Sequence, residues 1–296
     1  MLTTHTTVLL AVSLLSTLVY TCSLNSYSKG YAAAPASFQF YNLCASLVSA
    51  LVLLATGGWT GGTSPYTLLL GTVFGTVTAL SAVFNLKALH IGPMSYTTVL
   101  VTSSMLVPTL AGRIGWGEQV SFLQYTGIVL MLISIALSTD KHKGNNTVSA
   151  RWLAYCMAAF AMTGMIGVLQ KIHQTSPYRD EAGAFLVVAF LVSALFSAVP
   201  CLRGRKELSQ SHIFSSRPIL LLLAGGLGTV GANKLNLYLS GVMESAVFFP
   251  IVNGGSLLLA VLAALLLYRE KLPGRKWAGL AVGIAGIFLL CIKTAA

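Results

Sequence analysis

The stretch ILLLLAGGLGTVGANKLNLY, from Ile219 to Tyr238, decides the fold class and raises the main functional question. It begins as a continuous apolar run, passes through four glycines within seven residues, and then places Lys234 among polar neighbours. A bilayer core about 30 Å thick needs about 20 helical residues to cross it. The stretch therefore predicts a membrane-spanning helix with a lysine inside it.

Lys234 has two interpretations. An ionisable side chain within a span usually faces a bundle interior or a wet cavity, because placing its charge in hydrocarbon is costly. Alternatively, its aliphatic stem reaches the nearer surface, which is only a turn or two away. Asn233, Asn236 and Tyr238 favour the cavity, since a lysine that reaches the surface needs no polar neighbours on its own helix. We predict that these residues contact a substrate.

The composition is that of an integral membrane protein. Of 296 residues, 55% are hydrophobic and only 8% are charged, whereas about a quarter are charged in a soluble domain. The net charge of +11 comes from Lys and Arg in short loops, which argues against a nucleic-acid partner. The five cysteines stand singly in apolar segments, so we expect no metal site, no disulfide framework and no cofactor.

Ten apolar segments with short connections predict an all-α polytopic membrane protein with ten transmembrane helices. Membrane barrel strands alternate in hydrophobicity over about ten residues, whereas these segments are about twice as long and do not alternate. The predicted segments are residues 6–28, 35–56, 66–90, 94–113, 121–139, 151–173, 181–202, 217–240, 244–267 and 275–293.

The two halves of the chain are similar in sequence on either side of a connecting loop at residues 140–150. The motif LVSAL, for example, occurs at Leu47–Leu51 and again at Leu191–Leu195. Because each half holds five predicted spans, an odd number, the second half must be inverted relative to the first. We predict inverted five-helix repeats at residues 1–139 and 151–296. Inverted repeats are typical of secondary transporters, which bind substrate near the midplane.

The two halves also end alike, in GEQVSFLQYTGIVLMLISIAL at Gly117–Leu137 and REKLPGRKWAGLAVGIAGIFLL at Arg269–Leu290. A Glu at a short loop before a Gly-rich final helix, together with Asn25-Ser-Tyr-Ser-Lys29 and Pro35, resembles the EamA-type branch of the drug/metabolite transporter superfamily. The resemblance covers essentially the whole chain. It implies a central cavity lined by the first, third, fourth, sixth, eighth and ninth helices. It also implies a structural pair formed by the fifth and tenth helices.

Polar residues in other spans are further candidate substrate ligands. Lys87 and Asn85 lie near the end of the third span and either line the cavity or reach the surface. Asn253 stands beside two glycines in the ninth span, where a ligand can approach the backbone closely. Asn25 and Gln170 lie at similar depths in the two repeats and either face the cavity or join neighbouring helices.

Charged residues near helix ends suggest more local roles. Glu244 opens the ninth helix, where it either interacts with the helix dipole or forms an ion pair or coupling site with Lys234. Lys171 and His173 are expected to extend to the membrane surface. Glu118 and its counterpart Glu270 are each expected to cap the last helix of their half.

Small residues give the last helix a smooth face. Gly279 and Gly283, with Gly286 one turn later, permit close helix packing. The fifth helix of the same chain is the simplest partner, and a homodimer through the Gly279/Gly283 face is the alternative to a monomer.

The carboxylates restrict the substrate and the mechanism. None of the seven lies at mid-membrane depth. The small multidrug resistance relatives exchange protons through a carboxylate in the first helix, and that mechanism therefore does not carry over. Lys234 disfavours a cationic substrate. We expect a secondary transporter of a small neutral, zwitterionic or anionic metabolite, working by alternating access in the cell (plasma or inner) membrane.

Three alternatives accompany this expectation. A lipid or lipid-linked-sugar flippase of the same fold would have a lateral opening between helices. An intramembrane enzyme would need a nucleophile–base pair, a metal cluster or paired carboxylates at membrane depth, and the sequence offers none, so we expect the protein not to be an enzyme. A non-transporting scaffold would have little use for polar residues on matched helices.

Overall fold

The structure, a computed structural model, describes residues 3–31, 35–59, 61–92, 94–138, 149–204, 215–266 and 273–292. Glu270 and most of the predicted loop at residues 140–150 lie outside these ranges. Within them the regular secondary structure is helical. The helices are α1 (Thr4–Tyr31), α2 (Pro35–Ala55), α3 (Pro65–Ile91), α4 (Met94–Thr102), α5 (Leu106–Trp116), α6 (Phe122–Ser138), α7 (Ala150–Gln174), α8 (Ala182–Arg203), α9 (Ser216–Val242), α10 (Ser245–Leu266) and α11 (Gly274–Cys291).

The described ranges hold nine helical segments that are long and apolar enough to cross a membrane. One of these segments, Tyr96–Trp116, combines α4 and α5. The fifth predicted span, residues 121–139, corresponds to α6, which is shorter at 17 residues. All ten predicted segments are thus found as helices, and the chain is an integral, multi-pass helical membrane protein.

The fourth predicted span is interrupted rather than continuous. A 3-10 turn at Ser103–Met105 separates α4 from α5. Pro108 explains the interruption, because proline lacks an N–H donor and its ring clashes with the carbonyl four residues earlier, here Ser104. After α5 the chain reverses at Gly117, whose φ of 64° is left-handed. The Glu118 N–H then donates to the Gly112 carbonyl at 3.2 Å.

The described helices form two compact units, and each unit draws on both predicted halves of the chain. The first unit comprises Met1–Thr7, Leu80–Lys171 and Leu239–Ala296. The second comprises Val8–Ala79 and Ile172–Tyr238. The inverted relation of the two sequence halves stays a prediction.

In the first unit, α6 and α11 pack closely along their glycines. A Cβ added at Gly286 would lie 3.1 Å from the Gly127 carbonyl oxygen. Ser134 Oγ donates to the Gly279 carbonyl at 2.7 Å, and Gly283 is buried against the same serine. The predicted packing of the last helix against the fifth span is confirmed. A homodimer through this face stays a prediction.

In the second unit, the glycines of α9 pack against α1 and α2. A Cβ added at Gly228 would lie 2.7 Å from both the Ser16 carbonyl oxygen and the Tyr20 amide nitrogen of α1. On α2, Ser49 Oγ donates to the Gly226 carbonyl at 3.0 Å. The glycines that interrupt the apolar run of α9 therefore allow two neighbouring helices to approach its backbone.

Candidate functional site

One face of α9 carries the exposed candidate residues. Leu223, Leu227 and Tyr238 are 44%, 55% and 43% exposed, and Lys234 is also exposed. These positions are separated by four, seven and four residues, spacings that bring side chains onto the same side of a helix. We refer to Leu223, Leu227, Lys234 and Tyr238 as the α9 face. It is apolar in its first half and polar in its second.

The remaining polar residues of α9 point elsewhere. Residues two apart on a helix do not share a face, so Asn236 lies away from Lys234. Buried Ser13 of α1 donates to Asn236 Oδ1 at 2.5 Å, which fixes this amide against α1. Asn233 Nδ2 donates to the Thr229 carbonyl of its own helix at 2.9 Å. The structure thus brings Lys234 and Tyr238 together and separates Asn236 from them.

The other amide candidates are distributed over both units. Asn253 Nδ2 donates to the Phe249 carbonyl at 2.9 Å, which satisfies one amide proton within α10 itself. Gln170 is buried in α7, whereas Asn25 of α1 and Asn85 of α3 are half-buried. Their contact with a substrate stays a prediction.

Lys87 is exposed, and its ammonium lies 5.6 Å from the centroid of the Tyr155 ring of α7. Nothing in the sequence distinguishes Tyr155, because an aromatic residue in an apolar span is ordinary. Contact with Tyr155 places Lys87 where α3 ends and α7 begins.

A buried ion pair joins Lys171 of α7 to Glu118, which follows α5. The Lys171 side chain is 6% exposed and that of Glu118 is 12% exposed. The Lys171 ammonium also donates to the Met243 carbonyl at 3.2 Å and lies 5.8 Å from the Trp116 ring. The expectation that Lys171 reaches the membrane surface was therefore wrong, since its charge is compensated inside the protein.

Glu118 caps a different helix from the one expected. Its carboxylate accepts from the Ser245 N–H at 2.7 Å and from Ser245 Oγ at 3.3 Å, at the start of α10. The start of α6 is capped instead by Ser121 and Gln124, each accepting the other's backbone N–H, at 3.2 and 2.8 Å. The expectation failed because the left-handed turn at Gly117 returns Glu118 towards the end of α5.

Glu244 lies beside this network and is exposed. Its carboxylate accepts a hydrogen bond from Gln124 Nε2 at 3.3 Å. The alternative pairing of Glu244 with Lys234, residues that belong to different units, stays a prediction.

His173 is also buried rather than extended to the surface, which corrects the expectation for this residue. It is 0% exposed, and its ring stacks on Phe185 of α8 with 4.4 Å between centroids. The reason is that the end of α7 packs against the first turn of α8. The contact with Phe185 could not be predicted from the sequence, because a turn and a short 3-10 segment separate the two residues.

Comparison with known proteins supports the fold alone. No family model matches the chain, and no curated protein matches it. A solved structure described as "Crystal structure of protein" is similar, with a TM-score of 0.76 over 97% of this chain and 96% of that one. The sequence identity is 15%, so the likeness shows the fold alone. The fold places this chain in the class of polytopic helical membrane proteins.

Proposed function

We propose that the protein is a secondary transporter that moves a small neutral, zwitterionic or anionic metabolite by alternating access. The observation that carries the proposal is Lys234, an exposed cation eight residues, or about 12 Å, from the end of the apolar 27-residue helix α9. A charge at that depth is costly unless water or a ligand compensates it. A transported solute with a carboxylate, phosphate or other acceptor group supplies such compensation.

The α9 face would bind this solute through two kinds of group. The Lys234 ammonium offers a charged donor, and the Tyr238 hydroxyl one turn later offers a directional one. Substrate selection then follows from charge, because a cationic solute meets like charge. The resemblance to EamA-type transporters and the sequence similarity of the two halves support alternating access, which inverted repeats provide in other transporters.

A second function, a lipid or lipid-linked-sugar flippase, is favoured by the distribution of residues along the α9 face. Leu223 and Leu227 precede Lys234 and Tyr238 on one continuous face. An amphipathic molecule could therefore place its apolar part against the leucines and its polar part against Lys234 and Tyr238. A water-soluble metabolite needs only the polar section. The two functions therefore differ in whether the Leu227 position is in contact with water.

Cysteine labelling tests the proposal directly. The five native cysteines would first be replaced. Leu227→Cys and Lys234→Cys would then be compared in proteoliposomes for labelling by a membrane-impermeant maleimide. Transport of a soluble metabolite predicts labelling at both positions. The matched control is Leu195→Cys, a 68% exposed position on α8 among apolar neighbours, which should remain unlabelled. An unlabelled Leu227→Cys together with a labelled Lys234→Cys would contradict transport of a soluble metabolite. It would leave two explanations, a flippase or a lipid-facing helix from which Lys234 merely reaches the surface.

The chemical class of solute follows from a ligand screen. Purified protein would be heated with amino acids, nucleosides, sugars, organic anions and short-chain lipids, and the unfolding temperature recorded. A ligand that binds the native state raises this temperature with concentration. Stabilisation by a soluble anion or zwitterion supports metabolite transport, whereas stabilisation restricted to lipids supports the flippase.

A further inference from the structure

Lys87 and Arg151 converge on one aromatic ring in the first unit. The Lys87 ammonium nitrogen is 5.6 Å from the Tyr155 ring centroid, and the Arg151 guanidinium carbon is 5.9 Å from it. Both basic side chains are exposed, and Tyr155 is half-buried. An ammonium, a guanidinium and a phenol hydroxyl are thus collected at one place.

Two cations around a single ring repel each other, and the attraction of each to the ring offsets only part of that repulsion. Within the part of the chain that the structure describes, no carboxylate forms an ion pair with Lys87 or Arg151. An anion bound between the two cations would remove the repulsion. The cluster is therefore a candidate anion site.

The depth of the cluster indicates which anion is available. α3 has 27 residues and α7 has 25, or about 40 and 37 Å of helix. The hydrocarbon core is about 30 Å thick, and the bilayer with its headgroup layers is about 40–45 Å. Lys87 lies four residues before the end of α3, and Arg151 is the second residue of α7. Both residues therefore lie within about a turn of a helix end, from which a long basic side chain can reach the headgroup layer.

Buried packing around Trp152 holds the start of α7 in place, which positions the backbone of Arg151 and Tyr155. Trp152 is buried, and its indole N–H donates to Thr97 Oγ1 at 2.9 Å. Its ring packs directly on Gly92, just after the end of α3. Cys156 and Ala88, both fully buried, complete this contact. Arg151 and Tyr155 flank Trp152 on the same helix, so their backbone positions are fixed before any ligand binds.

We propose that Lys87, Arg151 and Tyr155 bind a phosphate group at the membrane surface where α3 ends and α7 begins, and that an anionic phospholipid headgroup supplies it. Guanidinium groups bind phosphate through two parallel hydrogen bonds, and lysine adds a compact positive charge. The Tyr155 hydroxyl gives a further donor. Basic pockets between transmembrane helices are known to bind anionic headgroups. The site is independent of the transport proposal.

The test compares unfolding temperatures in nanodiscs. Wild-type protein in phosphatidylcholine alone is compared with protein in phosphatidylcholine containing a minor fraction of phosphatidylglycerol. We expect phosphatidylglycerol to raise the unfolding temperature of the wild type, and Lys87→Gln/Arg151→Gln to lose most of that increase. The matched control, Arg203→Gln/Arg217→Gln, removes two exposed cations elsewhere and should keep the increase. Both variants are first compared in phosphatidylcholine alone, which shows that each still folds.

Further arms separate the sources of phosphate. Inorganic phosphate added to protein in phosphatidylcholine tests whether a soluble anion binds. If phosphate raises the unfolding temperature of the wild type but not of Lys87→Gln/Arg151→Gln, the site is supported and its ligand is a soluble phosphate instead of a lipid headgroup. Tyr155→Phe should retain part of the lipid effect, because it removes one donor and keeps the ring. An equal phosphatidylglycerol response in the wild type and Lys87→Gln/Arg151→Gln, with no specific phosphate response, would overturn the proposal.

Discussion

The Lys171 ammonium and the Glu118 carboxylate form an ion pair almost entirely withdrawn from solvent, and the pair connects the end of α5, the last turn of α7 and the start of α10. Withdrawing two charges from water is expensive, and their attraction compensates for it only when further hydrogen bonds complete the geometry. Here the Met243 carbonyl and the Ser245 N–H provide those bonds. Each charge therefore depends on the other.

Lys171→Met should destabilise the protein strongly, by about 3–5 kcal/mol, because it leaves the Glu118 carboxylate buried without its partner. Glu118→Gln should also destabilise it. The double variant should be more stable than the two single effects predict, since no charge is left unpaired. Thermal unfolding in detergent measures all four proteins. Additive effects would show that the two side chains do not interact energetically.

Lys234→Met should weaken binding of an anionic or zwitterionic ligand identified in the screen by about 1.5–3 kcal/mol, the worth of a hydrogen bond to a charged group. Unfolding temperature without ligand should stay equal or rise, because methionine keeps the apolar stem. Lys234→Arg is the matched control and should retain much of the affinity. Titration of the ligand against each variant measures the difference. Unchanged affinity in Lys234→Met would remove Lys234 from the site.

Ser13→Ala should lower stability by about 0.5–1.5 kcal/mol, since it removes the donor to Asn236 Oδ1. The control is Thr76→Ala, whose hydroxyl donates only to the Thr72 carbonyl of its own helix, at 2.8 Å. That change should have little effect. A double-mutant cycle with Asn236→Ala separates the α1–α9 hydrogen bond from other losses. A coupling near zero would contradict its assignment.

Gly228→Ala should destabilise by about 1–3 kcal/mol, because the new methyl group would meet backbone atoms of Ser16 and Tyr20 at 2.7 Å and force α1 away. Gly115→Ala is the matched control, as it also lies in a helix but meets nothing within 4 Å. It should stabilise by about 0.5–1 kcal/mol through helix propensity. Chemical or thermal unfolding compares both variants with the wild type. Equal behaviour of the two would argue against the close α1–α9 contact.

The sequence predicts the helices well because membrane crossing imposes a length and an apolar composition that are visible locally. The packing of Gly279 and Gly283 against the fifth span could also be predicted from the sequence, since small residues on one face indicate a close neighbour. The burial of Lys171 could not be predicted, because it depends on Glu118, 53 residues away, and on the turn at Gly117 that brings Glu118 back towards α5. The separation of Asn236 from Lys234 follows from their two-residue spacing on a helix, whereas the contact of Asn236 with Ser13 required the position of α1.

The network around Glu118 also sets an order of assembly during synthesis. Lys171 follows Glu118 by 53 residues, so their ion pair can form once the sixth span has emerged from the ribosome. Ser245 arrives only 127 residues after Glu118. Until the ninth span enters the membrane, the carboxylate lacks its backbone partner. A chain that ends before α10 would therefore leave the Glu118 carboxylate without the Ser245 N–H that completes its hydrogen bonds.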